Sequence, residues 1–288
     1  MKRSKLSKIV TLSLAAIMLF GLASCGGNSS SDERSDITVI SREEGSGTRD
    51  AFVELTGVME EDVDRTVDTA EISNSTSVVT QSVAGNESAI GYISMGSMTD
   101  DVKALKIGGA EATTDNVKNG SYALQRPFNI VTKGEVAELP QDFINFIMSA
   151  EGQAIIEEEG YIKTEEAAAS YESKGLTGTI TLAGSTSVSP VMEVLADEYK
   201  SLNDGVTIEI QQTGSGAGIQ STIEGVCDIG MASRALEDEE AAEGLESSVI
   251  ALDGIAVIVN NANSIEDITM DQIMKIFIGE ITSWAEIQ

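Results

Sequence analysis

The sequence predicts an α/β protein, and two observations carry that expectation. Short apolar runs alternate with amphipathic helical stretches along the chain, the pattern of strands and helices packed in layers. Three loops rich in glycine and hydroxyls also stand where helices should begin: Glu44-Gly45-Ser46-Gly47-Thr48-Arg49, Ala183-Gly184-Ser185-Thr186-Ser187 and Thr213-Gly214-Ser215-Gly216-Ala217-Gly218. A helix N-terminus has unpaired N–H groups and the positive end of its dipole, so such turns suit an oxyanion. With Arg42 beside the first loop, three of them in one chain point to one shared anion site.

The elements follow in order. Ile37-Thr38-Val39-Ile40 reads as a buried strand feeding the Gly45–Thr48 turn and a helix from Arg49 to Leu55. Ala89–Ile93 and Phe128–Val131 are further strands. Pro140 to Ile162 reads as mostly helical, with Pro140 in the first turn and Gly160 as the stop. Glu165 to Lys174 has no apolar period and reads as a linker or a solvated helix.

Thr179–Leu182 is the next strand, followed by a helix opened at Ser189-Pro190. Val191, Val194, Leu195, Tyr199 and Leu202 form its expected inner face. Val206–Ile210 alternates as a strand, Asp228–Ala232 is a short buried one and Val249–Val259 a long apolar one. Thr269-Met270-Asp271-Gln272 is a capping box that opens a helix through Phe277, stopped by Gly279. The acidic runs Glu157–Glu159 and Glu237–Glu243 read as solvated helix faces.

The N-terminus bears on the compartment. Lys2, Arg3, Lys5 and Lys8 precede a mostly apolar stretch, Ile9–Leu22, too short for a comfortable membrane span. It ends in Leu22-Ala23-Ser24-Cys25-Gly26, which resembles a bacterial lipobox. The expectation is cleavage of a signal peptide (1–24), acylation of Cys25, a palmitate-type anchor at the extracytoplasmic face of the cell membrane, and a small, polar tether over 25–35. Cleavage there leaves 264 of the 288 residues, enough for one large domain or two lobes. Cys227 is the only other cysteine, so no internal disulfide can form once Cys25 is acylated; it reads as a small buried apolar residue.

Formal net charge is −29, and loss of residues 1–24, which carry four cations and no acid, takes it to −33. That argues against a nucleic-acid partner and against long-range attraction of anions, so an anion must be held by local dipoles and one or two arginines. The chain has no histidine, which removes Ser-His-Asp and Cys-His nucleophilic systems and every histidine-bearing metal site. The expectation is a binding protein with no catalytic residues, no cofactor and no metal.

Taken together, six segments resemble the phosphate-binding lipoproteins of bacterial Pst-type ABC importers. They are Gly184–Pro190, Thr213–Gly218, Cys227–Arg234, Ala251–Val257, Ser41–Arg49 and Ala89–Ile93. The similarity they anchor spans nearly all of residues 36–288, but in exchanged order. In the family the stretch resembling Thr179–Gln288 comes first and that resembling Ser35–Lys163 follows. This looks like a circular permutation, with the old ends joined by about 164–178; the alternative is a gene fragment from a tandem array. Domains whose ends are close and exposed tolerate such exchanges.

The resemblance implies a two-lobed periplasmic-binding-protein-like fold (type II), circularly permuted. Crossings are expected near Arg126–Thr132 and Leu252–Val259. One lobe would combine residues 36–125 with 257–288, and the other would be contiguous over 126–256. It also implies a site. Arg42 would bind phosphate through its planar guanidinium. Ser46, Gly47 and Thr48 would donate from one lobe, and Thr186, Ser187 and Ser215 from the other. Asp228 would accept the phosphate O–H and repel sulfate. Glu44, Arg49 and Arg234 would be supporting or clasp residues. The partners implied are inorganic phosphate and the importer's permease subunits, reached by hinge closure around the anion. A phosphate-sensing surface lipoprotein, or a binder of sulfate or molybdate, is the alternative.

Overall fold

The computed structural model describes residues 36–164 and 168–287. Cys25, the signal peptide and the tether lie outside the described residues.

The first part of the chain forms β1 (Thr38–Arg42), α1 (Gly47–Thr56), β2 (Met59–Glu60), β3 (Val63–Asp64), β4 (Glu71–Ser73), α2 (Thr76–Ala84) and β5 (Ala89–Ser94). After a 3-10 turn at Met95–Ser97 come β6 (Val102–Ala104), β7 (Lys106–Ile107), α3 (Thr114–Lys118) and β8 (Gln125–Lys133). Then follow α4 (Glu138–Ile147), α5 (Ala150–Glu158), β9 (Ile162–Lys163), β10 (Gly178–Gly184), α6 (Ser189–Leu202), β11 (Val206–Gln212) and α7 (Ser215–Ile223). The chain closes with β12 (Ile229–Ala232), α8 (Asp238–Ala242), β13 (Leu245–Asn260), β14 (Asp267–Ile268) and α9 (Met270–Phe277).

The main sheet has the order β11-β10-β12-β8-β13-β5-β1-β4. Its two ends are parallel, β11-β10-β12 at one and β5-β1-β4 at the other. Its middle is antiparallel, because β8 and β13 run against each other and against their neighbours. β13 pairs with β8 from Leu245 to Gly254, with a register shift at Val249/Ala251, and then with β5 from Ile255 onward.

The buried apolar side chains divide at this middle. One cluster joins Val39–Leu124 to Ile255–Ile287, takes in Ile162 of β9, and includes Phe52, Tyr92, Phe277 and Trp284. A second lies between Phe128 and Ala251 and includes Phe143, Phe146, Leu195 and Tyr199, and two smaller ones follow the same division, around Ile40, Val83 and Ile258 and around Val131, Ile219 and Leu245. The fold is therefore two-lobed, and β8 and β13 are the strands that pass between lobes.

Several expectations need correction. Pro140–Ile162 is mostly helical, as expected, but as two helices, and its last residue is strand. Ser149 ends α4 and caps α5, accepting from Gly152 N at 3.2 Å. At Gly152 a Cβ would stand 2.2 Å from the Phe146 carbonyl oxygen, so the tight turn between the helices requires glycine. Ile162 belongs to a strand that pairs with β13. In α6, Val194 and Leu202 are exposed, and the inner face is Val191, Met192, Leu195, Ala196 and Tyr199. The acidic run after Arg234 is not wholly solvated, because Glu240 is ion-paired.

The segment after β9 is irregular over 168–177 but anchored. Tyr171 OH donates to Asp142 Oδ2 at 2.6 Å, Ser173 Oγ to Asn203 Oδ1 at 2.6 Å, and Lys174 Nζ stands 3.3 Å from Asp142 Oδ1. Asp142, almost fully buried, also receives Tyr199 OH at 2.8 Å. The expected capping box at Thr269 forms with both of its bonds, and Gly279 follows in the left-handed region. At the far ends of the described chain, Ile37 N donates to Thr282 O at 2.7 Å, and Asp36 bridges Ser283.

Candidate functional site

β1 carries Arg42 to the base of α1. Its backbone N–H donates to Tyr92 OH at 3.1 Å, and Ser41 Oγ lies 2.8 Å from the same oxygen. Tyr92 stacks on Phe52 of α1 with ring centroids 3.9 Å apart, which ties strand and helix together. Burial pushes the Tyr92 phenol up to about 12, so it stays neutral. Gly45 turns the chain at φ +78, and Ser46 then caps α1, accepting from Arg49 N at 3.4 Å. Gly47 and Thr48 form the buried first turn.

The Arg42 side chain is 2 % exposed. Its Nε and Nη2 each donate to a Glu43 carboxylate oxygen at 2.7 Å. Nη2 also reaches Thr186 Oγ1 at 3.1 Å, and Nη1 reaches Thr76 Oγ1 at 3.4 Å. Arg49 Nε pairs with Asp64 at 2.8 Å, and its Nη1 holds the Arg42 carbonyl at 3.1 Å.

The opposite lobe brings its loops to the same place. β10 ends at Gly184, where a Cβ would stand 2.1 Å from the Met231 carbonyl oxygen of β12, so only glycine fits. Ser185 Oγ lies 3.0 Å from Ser233 Oγ, and Ser233 Oγ lies 3.2 Å from Ser215 Oγ at the start of α7. Across the cleft, Thr48 Oγ1 meets Ser187 Oγ at 2.9 Å, and Gly216 N donates to Gly45 O at 2.9 Å. Thr76 Oγ1 lies 3.2 Å from Thr186 Oγ1 and 3.1 Å from Ser187 Oγ. A Cβ at Gly47 would stand 2.6 Å from Ser215 Oγ, so the lobes meet this closely only over bare backbone.

Arg42, Ser46, Gly47, Thr48, Thr186, Ser187 and Ser215 thus converge. Three helix N-termini and one guanidinium surround a patch of buried hydroxyls, an arrangement that can donate many hydrogen bonds to one small anion. Thr76, Ser185, Ser233 and Glu43 belong to the same cluster, and the sequence reading missed their part. Ser73-Asn74-Ser75-Thr76-Ser77 does carry the needed signal, being a fourth hydroxyl-rich helix start, capped by Ser75.

Asp228 does not join them. It is exposed and sits before β12, where its Oδ2 accepts from Thr181 N at 2.7 Å and Thr181 Oγ1 at 2.8 Å. It lines a separate cavity with Lys133, Glu135 and Cys227. The reason is strand direction. Parallel strands present ligand sites beyond their C-terminal ends. Ser233 follows β12 and Asp228 precedes it, so the two lie roughly 16 Å apart at strand rise. Glu44 is exposed and makes none of the contacts of the cluster.

Arg234 stands at the rim and bridges the lobes. Its Nε pairs with Asp50 Oδ2 of α1 at 3.0 Å, and its Nη1 and Nη2 each bond a Glu240 oxygen at 2.7 Å. Hydrogen bonding to Glu240 holds the guanidinium well above its ordinary range, whereas burial raises the Asp50 carboxyl.

Between the lobes, Arg126 of β8 and Asp253 of β13 lie directly opposite in register. Arg126 donates through Nε and Nη2 to Asp253 Oδ2 at 3.2 and 3.0 Å, and Ser94 Oγ to Oδ1 at 2.8 Å. Both charges are about 1 % exposed, and burial pushes the Asp253 carboxyl up to about 6. Among the described residues, no group of acidic, cysteine or histidine side chains could hold a metal, and no helix is long and apolar enough to cross a membrane.

Comparison with known proteins accords with this geometry. A family model described as a PBP superfamily domain matches residues 28–151 and 169–287. The chain is 47% identical over 294 residues to a protein named phosphate-binding protein PstS 2 of Streptococcus agalactiae serotype V, covering 100% of this chain and 99% of that one. It is 46% identical over 291 residues to the protein of the same name from Streptococcus pneumoniae serotype 4, covering 99% and 100%. A crystal structure described as the phosphate-binding protein of a phosphate ABC transporter from Streptococcus pneumoniae TIGR4 superposes with a TM-score of 0.71 at 48% identity, covering 88% of this chain and 100% of that one.

Proposed function

The chain belongs to the PstS phosphate-binding family of the PBP superfamily, and from that premise we propose that it captures inorganic phosphate outside the cytoplasm and delivers it to an ABC importer. One observation carries the reading: hydroxyls and helix N-termini from both lobes converge on the buried Arg42 guanidinium.

Phosphate enters the open cleft and takes donors from Ser46, Gly47 and Thr48 on one side and from Thr186, Ser187 and Ser215 on the other. Closure brings both sets to it, so binding energy becomes hinge closure. The protein's own charge repels anions at long range, so affinity comes from desolvated local donors. Glu43, not Asp228, is the carboxylate beside Arg42, and it accepts the proton of a protonated phosphate while disfavouring sulfate. The relatives are named for binding phosphate, and the reading is transport rather than catalysis.

The lobes are assigned as 36–125 with 257–288, and 126–256. The exchange of halves is read as a working circular permutant. Two findings support this: the ends meet at Ile37 and Thr282, and relatives match the chain from end to end in this order. A lipid on Cys25 supplies the membrane anchor.

The test is calorimetric titration of the chain lacking residues 1–25 with phosphate, with sulfate and molybdate as competitors. Phosphate binds and is preferred. Arg42→Ala loses roughly 2–5 kcal/mol, thirtyfold or more in affinity. Glu43→Gln narrows the preference for phosphate over sulfate. Unchanged phosphate binding by Arg42→Ala removes the cluster from the site.

A further inference from the structure

The lobes meet in the cleft and again at the hinge. β13 leaves β8 for β5 between Gly254 and Ile255, and the Arg126–Asp253 pair and Ser94 sit at that crossing. The turn from α5 into β9 spans the same place. Thr114 Oγ1 donates to Gly160 O at 3.2 Å, and Ile162 packs into the core of the opposite lobe. Between them, Tyr161 lies on Gly96 of the 3-10 turn after β5, where a Cβ would collide with the ring. On its own side the ring packs against Phe128, with centroids 5.2 Å apart.

That seat leaves polar atoms without partners. Tyr161 OH, Ser97 Oγ and Arg126 Nη1 are buried and make no hydrogen bond, although buried polar atoms ordinarily find one. Among the described residues, no other buried side-chain nitrogen or oxygen is left so. The three are neighbours: Arg126 and Ser97, with Asp253 and Ser94, all act on the Tyr161 phenol, none with the distance and angle of a hydrogen bond. A buried polar atom without a partner costs free energy, most of all on a charged group. Tyr161 comes from one lobe and Ser97 from the other, and Arg126 lies on the strand between them. Turning the lobes apart therefore unseats the ring and opens all three atoms to water.

We propose that Tyr161 is a positioning residue of the hinge: seated on Gly96 in the closed form, it opposes closure by keeping its own hydroxyl, Ser97 and Arg126 buried and unpaired, so that the lobes stay shut only while an anion bridges them. The inference rests on the reading of the Arg42 cluster as a phosphate site. In an empty cleft the lobes have only their direct contacts, Thr48 with Ser187, Gly45 with Gly216 and Asp50 with Arg234. The unpaired atoms at the hinge offset these. Bound phosphate adds hydrogen bonds to both lobes and outweighs the cost, and once it leaves, reopening is downhill.

The experiment titrates the chain lacking residues 1–25 with inorganic phosphate, alongside its Tyr161→Phe, Ser97→Ala and Gly96→Ala variants, and records small-angle X-ray scattering with and without phosphate. Tyr161→Phe keeps the ring on Gly96 and removes one unpaired atom. It binds phosphate about fivefold more tightly, the lower end of what one such atom costs, and Ser97→Ala does the same. Without phosphate, both variants have a smaller radius of gyration than the parent chain, because their lobes are shut more of the time. Gly96→Ala acts in the opposite direction: its methyl meets the ring, the seat is lost, and phosphate binds about tenfold more weakly. Tyr161→Phe that binds phosphate no more tightly than the parent overturns the device and leaves the phosphate reading intact. An unliganded radius of gyration that neither Tyr161→Phe nor Ser97→Ala reduces does the same, as does undiminished binding by Gly96→Ala. A parent chain that binds no phosphate overturns the anion site and the device with it.

Discussion

Asp50 and Arg234 offer a direct measure of what holds the lobes together. Asp50 sits in the first turn of α1, next to the anion loop, and Arg234 follows β12 on the other lobe. Their Nε–Oδ2 distance is 3.0 Å, with the carboxylate 35% and the guanidinium 11% exposed. Unscreened attraction at an effective dielectric of 20 is about 5 kcal/mol at that distance. Partial exposure, desolvation and the competing Glu240 pairing reduce it to about 1 kcal/mol, at the upper end of exposed pairs. Asp50→Asn therefore weakens phosphate binding about fivefold in low salt, because the lost contact belongs to the closed form. The assay is a double-mutant cycle of Asp50→Asn and Arg234→Gln, read by phosphate titration at low and high salt. The double variant should bind no more weakly than Arg234→Gln alone, and the coupling should shrink with salt. Strictly additive losses, or a coupling indifferent to salt, would refute a charge bridge across the cleft.

Asp228→Asn should leave phosphate affinity and sulfate discrimination unchanged and lower thermal stability slightly, since that carboxylate holds only Thr181; calorimetry and melting curves check both. Gly152→Ala should destabilise the fold by about 1–3 kcal/mol in denaturant titration, because the new methyl meets the backbone carbonyl of Phe146 and not a movable side chain. Asp253 gives a pH signature. Its carboxyl, near 6 when folded, titrates near 3.9 in an unfolded chain, so between those values the folded state binds the extra proton. Its contribution to stability therefore increases as pH falls through that window and is lost as pH rises past 6. Asp253→Asn flattens that part of the stability profile and, by leaving buried Arg126 unpaired, lowers stability at neutral pH by about 3–5 kcal/mol.

Much of the site was legible because anion loops are local. Gly45–Thr48, Gly184–Ser187 and Gly214–Gly218 announce themselves by composition, and each opens a helix where expected. The two-lobed core was legible through the apolar strands around Phe128 and Ile255, since buried strands read as continuous apolar runs. What the sequence hid depends on direction and distance. Asp228 and Ser233 are neighbours in the chain, yet β12 separates them to opposite ends of a strand, and a motif match cannot show which end faces the cleft. Thr76 was overlooked because its hydroxyl-rich turn lacks a glycine. The α4–α5 break was hidden because apolar periodicity continues past it, while the serine that caps the second helix looks like any other polar residue. Tyr171 and Lys174 looked solvated because their partner, Asp142, is distant in sequence and buried.

The hydrogen bond from Ile37 to Thr282 has a mechanical consequence. Both extremities of the described polypeptide emerge from the same half of the molecule, while the half built from 126–256 has no free end of its own. Any leash attached upstream of Asp36 therefore grips only one jaw. The other is joined to it covalently only through β8 and β13, so a pull on the leash reaches it through those strands and the contacts across the cleft.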